Sequence, residues 1–224
     1  MIIDFSKKGK VKISMKDYII RMLVSLPPEM NGEAAIPASN HLFESKLGSI
    51  KLKAEEAVLF HHNVAKLLFL CKRPWPDIQT AIAFLCTRVK CPDEDDYKKL
   101  CSVMKCLRGT INMQLKLETD DVKMVKWWVD ASFAVHPEMK SHTGGTMTLG
   151  KGIMYGTSTQ QKINTKSSTK GELVGVNDVM PQVLWTRYFL EAQGYAVSDS
   201  VIYQDNQSAI LLEKNGKASS SKIT

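Results

Sequence analysis

Two hydrophobic rhythms divide the chain. From residue 54 to about 108 apolar residues recur every three or four positions. After Gly109 they recur every second position, and a helical spacing returns near Lys170. The pattern before residue 54 is weaker. Residues 10–13 read as a strand, followed by a helix that Ser14 would cap and that carries Tyr18, Ile19, Met22 and Leu23 on one side. Residues 27–53 hold Pro27, Pro28, Gly32, Pro37 and Gly48 with little periodicity, and read as a linker or long surface loop. Three helices follow. The first, over 55–71, shows a stripe of Val58, Leu59, His62, Ala65, Leu68 and Phe69. The second, over 77–89, shows Ile78, Ala81, Ile82 and Leu85. The third starts at the acids after Pro92, runs to 107 and is ended by Gly109.

The alternating part predicts strands over 113–117, 122–135, 146–149 and 153–155, the last extended by 161–164, with a turn at Asp120-Asp121. A long helix over 170–193 ends at Gly194, and Pro181 within it predicts a kink near Met180 or two abutting helices. Its apolar stripe is Leu173, Val176, Met180, Val183 and Leu184, widened by Trp185, Tyr188 and Phe189, which read as core. A strand over 201–204 and a short helix over 206–213 follow. Three antiparallel strands, a helix, a strand and a helix make a mixed α/β layout.

One residue resists this scheme. In Val125-Lys-Trp-Trp-Val-Asp-Ala-Ser-Phe133 apolar residues fall on both faces, which predicts a strand buried on both sides. Asp130 lies in its middle with no Lys or Arg beside it on its face, and a buried unpaired carboxylate costs several kcal/mol.

Composition changes this picture little. The 224 residues carry a formal charge of +7, a mild excess that does not by itself point to a polyanion. The N-terminus lacks a signal-peptide pattern and no apolar run reaches the ~18 residues of a membrane helix, so the reading is a soluble intracellular protein. Cys71, Cys86, Cys91, Cys101 and Cys106 are odd in number and lack a C-x-x-C, which favours buried free thiols over disulfides or zinc. The run Asp93-Glu-Asp-Asp96 suits the first turn of a helix better than a metal, His61-His62 lacks a third ligand, and Lys7, Lys8, Lys10 and Lys12 read as a solvated strand edge.

Two further acids sit at element ends. Glu172 follows Thr169 at the spacing of a capping box, and Asp205 or Asn206 can cap the helix that starts at Gln207. If the first and fourth strands adjoin, however, Asp130, Asp205 and Glu172 converge. A divalent cation such as Mg²⁺ or Mn²⁺ would relieve their repulsion, and two such ions support phosphodiester hydrolysis. Lys151, Lys162, Lys166 and Lys170, set among Ser, Thr, Asn and Gln, suit phosphate and sugar contacts equally with an exposed polar loop.

Several segments carry a family resemblance: Val129-Asp-Ala-Ser-Phe-Ala134, Lys140-Ser-His-Thr-Gly-Gly145, Ser167-Ser-Thr-Lys-Gly-Glu-Leu173, Leu184-Trp-Thr-Arg187 and Tyr203-Gln-Asp-Asn-Gln-Ser-Ala-Ile210. They resemble the ribonuclease H domain of copia-type LTR retrotransposon Pol polyproteins. Upstream, Asn63-Val-Ala-Lys-Leu-Leu-Phe-Leu70, Arg73-Pro-Trp-Pro-Asp-Ile78 and Leu107-Arg-Gly-Thr110 resemble the segment after the polymerase palm. The resemblance implies an α/β fold, a ribonuclease H-like mixed sheet with flanking helices over 111–224, incomplete at its C-terminus. A mainly helical connecting or thumb-like region over 54–110 would precede it, and 1–53 would belong to the reverse transcriptase end. It implies that Asp130, Glu172 and Asp205 are catalytic residues holding two Mg²⁺ (or Mn²⁺) ions, and that the RNA strand of an RNA–DNA hybrid is the substrate. It suggests Ser132, His142, Thr143, Lys162, Lys166, Ser168, Asn206 and Gln207 as nucleic-acid contacts. The remainder of the reverse transcriptase would be a partner, in a cytoplasmic virus-like particle or the nucleus. The pattern departs from the family in three respects. The family's fourth acid lies past the Ser-rich segment where this sequence ends. Lys170 and Gly171 stand just before Glu172, where Lys170 would weaken cation binding and Gly171 the helix start. The polymerase motif Tyr/Phe-x-Asp-Asp is missing. The expectation is therefore a shortened ribonuclease domain of weak or impaired activity; the alternative is a non-catalytic remnant that binds nucleic acid or is purely structural.

Overall fold

In a computed structural model, residues 1–46, 48–120 and 122–216 are described; Asp121 of the expected turn and the Gly/Ser/Lys-rich segment 217–224 lie outside them. In chain order the elements are β1 (Ile2–Asp4), β2 (Lys10–Ser14), α1 (Lys16–Val24), α2 (Ala54–Cys71), α3 (Gln79–Arg88), α4 (Glu94–Gly109), β3 (Leu115–Thr119), β4 (Met124–Ser132), β5 (His142–Thr148), β6 (Gly150–Lys151), β7 (Tyr155–Gln160), α5 (Ser168–Ala192), β8 (Asp199–Tyr203) and α6 (Gln207–Asn215). The chain forms two compact units. One comprises 1–119 with 151–156, the other 120–150 with the residues from 157 onward.

In the first unit β1, β2 and β3 pair antiparallel within a sheet of order β1-β2-β3-β6. The expected basic strand edge is solvated, and Lys10 pairs with Glu118 at 3.1 Å. Ser14 is the last residue of β2 rather than a cap; Met15, whose side chain has no oxygen to offer, holds the N-cap position of α1. The helices enclose Phe60, Leu67, Trp75, Ile82, Leu85, Leu100 and Met104. α3 buries Ile78 at its N-cap position with Ala81, Ile82 and Leu85, as its spacing predicts. α2 instead buries Phe60, Asn63, Val64, Leu67, Leu70 and Cys71, and leaves Val58, Leu68 and Phe69 exposed. Both stripes are helical in spacing. The buried one contains a polar Asn63, which hides it, and the Arg73 guanidinium sits 3.5 Å over the outward Phe69 ring. The stretch 27–53 is no free linker, because Met30 and Leu42 are buried in this core.

The acidic run starts α4 as expected. The Asp93 side chain accepts from the Asp95 and Asp96 amides, Asp96 accepts from the Asp93 amide, and Arg88 Nε donates to Asp96 at 3.0 Å. All five cysteines are free; Cys71 and Cys106 are buried, while Cys91 is exposed. Burial pushes the Cys71 thiol up to about 11.

The second unit holds a mixed sheet of order β7-β5-β4-β8, with β4 antiparallel to β5 and parallel to β8. Trp127, Val129 and Ala131 are buried on the face that α5 covers. Glycines permit the close approach. A Cβ on Gly175 of α5 would meet Ala131 Cβ at 3.5 Å, an ordinary contact, whereas one on Gly145 of β5 would fall 2.9 Å from both Thr157 Cγ2 and Val179 Cγ2. Gly145→Ala is therefore expected to cost about 1–3 kcal/mol by overpacking, while Gly175→Ala stays within about 1 kcal/mol of wild type. Thermal melts of the two variants check this; equal melting temperatures would contradict it.

Three expectations for this unit are corrected. α5 is one unbroken helix with Pro181 inside it, not two abutting ones. Leu184, Trp185, Tyr188 and Phe189 are exposed rather than core, and the Trp185 and Phe189 rings stack 5.1 Å apart. They lie on the side of the helix away from the buried Val179, Val183 and Thr186. Residues 161–164 do not extend a strand. Gln161 is buried, and its Nε2 donates to Gly171 O at 2.8 Å and Thr143 Oγ1 at 3.0 Å, so both amide hydrogens are used within the unit. Among the described residues no helix is long and apolar enough to cross a membrane.

Candidate metal centre

Strand parity sets the site. Along β4, Val125, Trp127, Val129 and Ala131 are buried, and Trp128, Asp130 and Ser132 are exposed on the opposite face. The expectation that Asp130 is buried is therefore wrong. The aromatic Trp128 makes the outer face look apolar in sequence, yet that face is open. β8 lies parallel beside β4, with Trp128 paired to Tyr203, and ends one residue before Gln204. That register carries Asp205 to the same end of the sheet as Asp130.

The simpler uses of the other two acids do not hold. Asn206 caps α6, its Oδ1 accepting from the Ala209 amide at 3.0 Å, so Asp205 has no capping duty. α5 is capped by Ser167, whose Oγ accepts from the Lys170 amide at 3.3 Å. Thr169 thus lies inside the helix, and Glu172 falls beyond the reach of a capping box. Glu172 is the buried member of the set, 5% exposed.

One oxygen from each of Asp130, Glu172 and Asp205 lies within 4.8 Å of the others. Among the described residues none of the three forms an ion pair with Lys or Arg. Lys170 is exposed. Burial holds the Glu172 carboxyl above its usual range. The charges of Asp130 and Asp205 add to this, against the lowering effect of hydrogen bonds from Gln204 and the Ala131 backbone. Three oxygen donors without a counter-charge fit a hard divalent cation, which such donors prefer. Gly171 has a packing reason beside this group: a Cβ there would lie 3.4 Å from Ser141 Oγ.

Gln204 is a positioning residue that spacing alone did not single out. Its Nε2 donates to Glu172 Oε2 at 3.1 Å, while its Oε1 accepts from the amides of Asp205 at 2.9 Å and Asn206 at 3.3 Å. One amide side chain thereby ties the end of β8 to α5. The available signal was a polar residue directly between an apolar strand and an acid.

The candidate nucleic-acid contacts separate into two groups. Ser132, Lys162, Lys166, Ser168 and Gln207 are exposed, and Asn206 is committed to its cap. His142 and Thr143 are corrected to internal roles. His142 is buried, with Nδ1 3.0 Å from His136 Nε2 and Nε2 2.6 Å from Ser158 Oγ. Thr143 Oγ1 donates to Asp178 Oδ2 at 3.2 Å.

No family model and no solved structure matches the chain. Among curated proteins it is similar to the "Retrovirus-related Pol polyprotein from transposon TNT 1-94" of Nicotiana tabacum, with 27% identity over 211 residues. The match takes in 92% of this chain and 16% of that polyprotein, so the chain spans a small part of its relative's length. The chain is a distant homologue of a retrovirus-related Pol polyprotein from a transposon.

Proposed function

We propose that this chain hydrolyses the RNA strand of RNA–DNA hybrids in a Mg²⁺-dependent reaction, as the ribonuclease H-like part of a copia-type Pol protein. The observation that carries the reading is the meeting of Asp130, Glu172 and Asp205, without an ion pair to Lys or Arg among the described residues, at one end of a mixed sheet. The relation to a Pol polyprotein supports the substrate class. Asp130, Glu172 and Asp205 would hold Mg²⁺ or Mn²⁺, two ions in the intact family site, and these would supply the activation of water and the stabilisation of the leaving oxygen. The protein's share is to hold the three carboxylates together. Gln204 orients the Glu172 carboxylate, and the Asn206 cap leaves Asp205 available. Ser132, Lys162 and Lys166, exposed in the same unit, are the side chains available for sugar and phosphate. The remainder of a reverse transcriptase is the proposed partner.

The test is a labelled RNA–DNA hybrid incubated with the full chain. Cleavage of the RNA strand in Mg²⁺, none in EDTA, and none of a DNA duplex is the expected result. Hybrid binding without cleavage at any Mg²⁺ concentration would replace the enzyme by a non-catalytic nucleic-acid-binding remnant, and absence of binding by a structural one.

A further inference from the structure

The open face of the second sheet carries more than acids. Trp128 and Tyr203, paired across the parallel β4–β8 ladder, stack with ring centroids 4.9 Å apart and planes 19° apart, and each is 43% exposed. Each stands two residues before an acid of the candidate centre, which for Trp128 and Asp130 is about 6–7 Å along β4. β4 lies between β5 and β8, so the ring face of Trp128 turned away from Tyr203 looks over β5. There the neighbours are Thr146, directly paired with Trp128, and Gly144, paired with Asp130. A Cβ on Gly144 would meet nothing nearer than Asp130 O at 3.9 Å. The face therefore has a slot bounded by an aromatic wall, a glycine floor and a carboxylate end.

We propose that this slot receives an unpaired nucleobase of the strand engaged at the acids, the base extending the Tyr203–Trp128 stack over Gly144. Base–aromatic stacking tolerates any base and is a main source of affinity for single strands. An apolar polypeptide laid on the same face would bury the Asp130 carboxylate and the Ser132 hydroxyl, at a desolvation cost. A nucleotide instead lays its flat base on the rings and leaves the carboxylates in water. The proposal rests on the nucleic-acid reading above, and narrows the substrate to a hybrid that carries a single-stranded extension.

Binding is measured in EDTA, so that cleavage plays no part. The probes are a blunt RNA–DNA hybrid and the same hybrid with a single-stranded RNA overhang. The full chain is expected to bind the overhang form about 10-fold or more tightly than the blunt form. Trp128→Ala, Tyr203→Ala and Gly144→Val remove that preference, and Trp128→Phe keeps it. In a Trp185→Phe background, which leaves Trp128 the exposed tryptophan among the described residues, the overhang quenches tryptophan fluorescence and the blunt form does not. Equal affinity for the two hybrids, or a preference that survives Trp128→Ala, overturns the proposal. So does self-association that Trp128→Ala abolishes, because the occupant would then be a second copy. Overhang preference without Mg²⁺-dependent cleavage would uphold the slot and sink the nuclease, and cleavage without the preference would do the reverse.

Discussion

Asp130→Asn is expected to lower Mg²⁺-dependent hybrid cleavage by at least about 100-fold, and to raise the melting temperature of the metal-free protein. The first effect follows from loss of a ligand, since even outer hydrogen-bond partners of metal ligands are worth 10–100-fold. The second follows from the same charge. Three carboxylates with oxygens within 4.8 Å of one another repel, and burial has already disfavoured the ionised form of Glu172. Asp130 is exposed, so solvent screens its share to on the order of 1 kcal/mol. Removing it stabilises the apo fold by that amount, a shift of a few degrees. Saturating Mg²⁺ reverses the order. At 100 times its dissociation constant a cation stabilises the wild type by about 2.7 kcal/mol, and a variant that cannot hold it gains little. Melting curves of both proteins with and without Mg²⁺ check the crossing. A variant less stable than wild type without metal, or stabilised equally by Mg²⁺, would show that the carboxylates do not form a cation site.

The second large effect is a loss of stability in mild acid, centred on His142. Burial, and then the neighbouring His136, holds the His142 imidazole down to about 4 from the usual 6.5, and burial lowers His136 as well. The folded chain thus keeps these rings neutral where the unfolded chain protonates them. A depressed histidine contributes stability that is fully present above pH 6.5 and is lost as the pH falls toward 4. For His142 alone this reaches about 3 kcal/mol at the bottom of the window. Glu138 and Lys140 act on His136 in opposite directions and leave burial dominant. Glu172 acts with the other sign, because its raised pKa favours the folded state as the pH falls, which moderates the loss. Melting temperatures from pH 7.5 to 4.5 are expected to fall, and the slope is expected to flatten in His142→Gln. A flat profile in wild type would refute the buried, neutral state of His142 and His136.

How far the sequence disclosed this molecule depended on what each signal measures. Period-two alternation located β4 within a few residues, because side chains on a strand must take opposite sides. It could not say which side is covered, and an aromatic at 128 made the open side look closed. Asp130 therefore looked buried, while the acid that is buried, Glu172, looked like a cap. That misreading arose because Ser167 and Thr169 both offer a capping hydroxyl, and the tertiary position of the helix start, not the residue type, decides between them. α2 was placed correctly as a helix and rotated wrongly, since a buried Asn63 broke the apolar stripe that faces the core. The exposed aromatics of α5 were misplaced for the opposite reason: apolar character states what burial would gain, not whether a neighbour is there to provide it. Asp130 was singled out because a carboxylate on a strand that looked apolar on both faces needs a reason outside folding, and Glu172 and Asp205 were joined to it by the assumed adjacency of the strands and by the family motifs.

The division of β4 into a covered and an open face has a consequence for inheritance. Two kinds of constraint are interleaved one residue apart along the same short strand. Changes at Val125, Trp127, Val129 and Ala131 act on how much folded protein exists. Under the proposed function, changes at Trp128, Asp130 and Ser132 on the exposed face act chiefly on what each folded molecule can do. A lineage that lost the need for the chemistry while keeping the domain would accumulate substitutions at every second codon of this strand. The odd and even positions of β4 therefore keep separate records of its past.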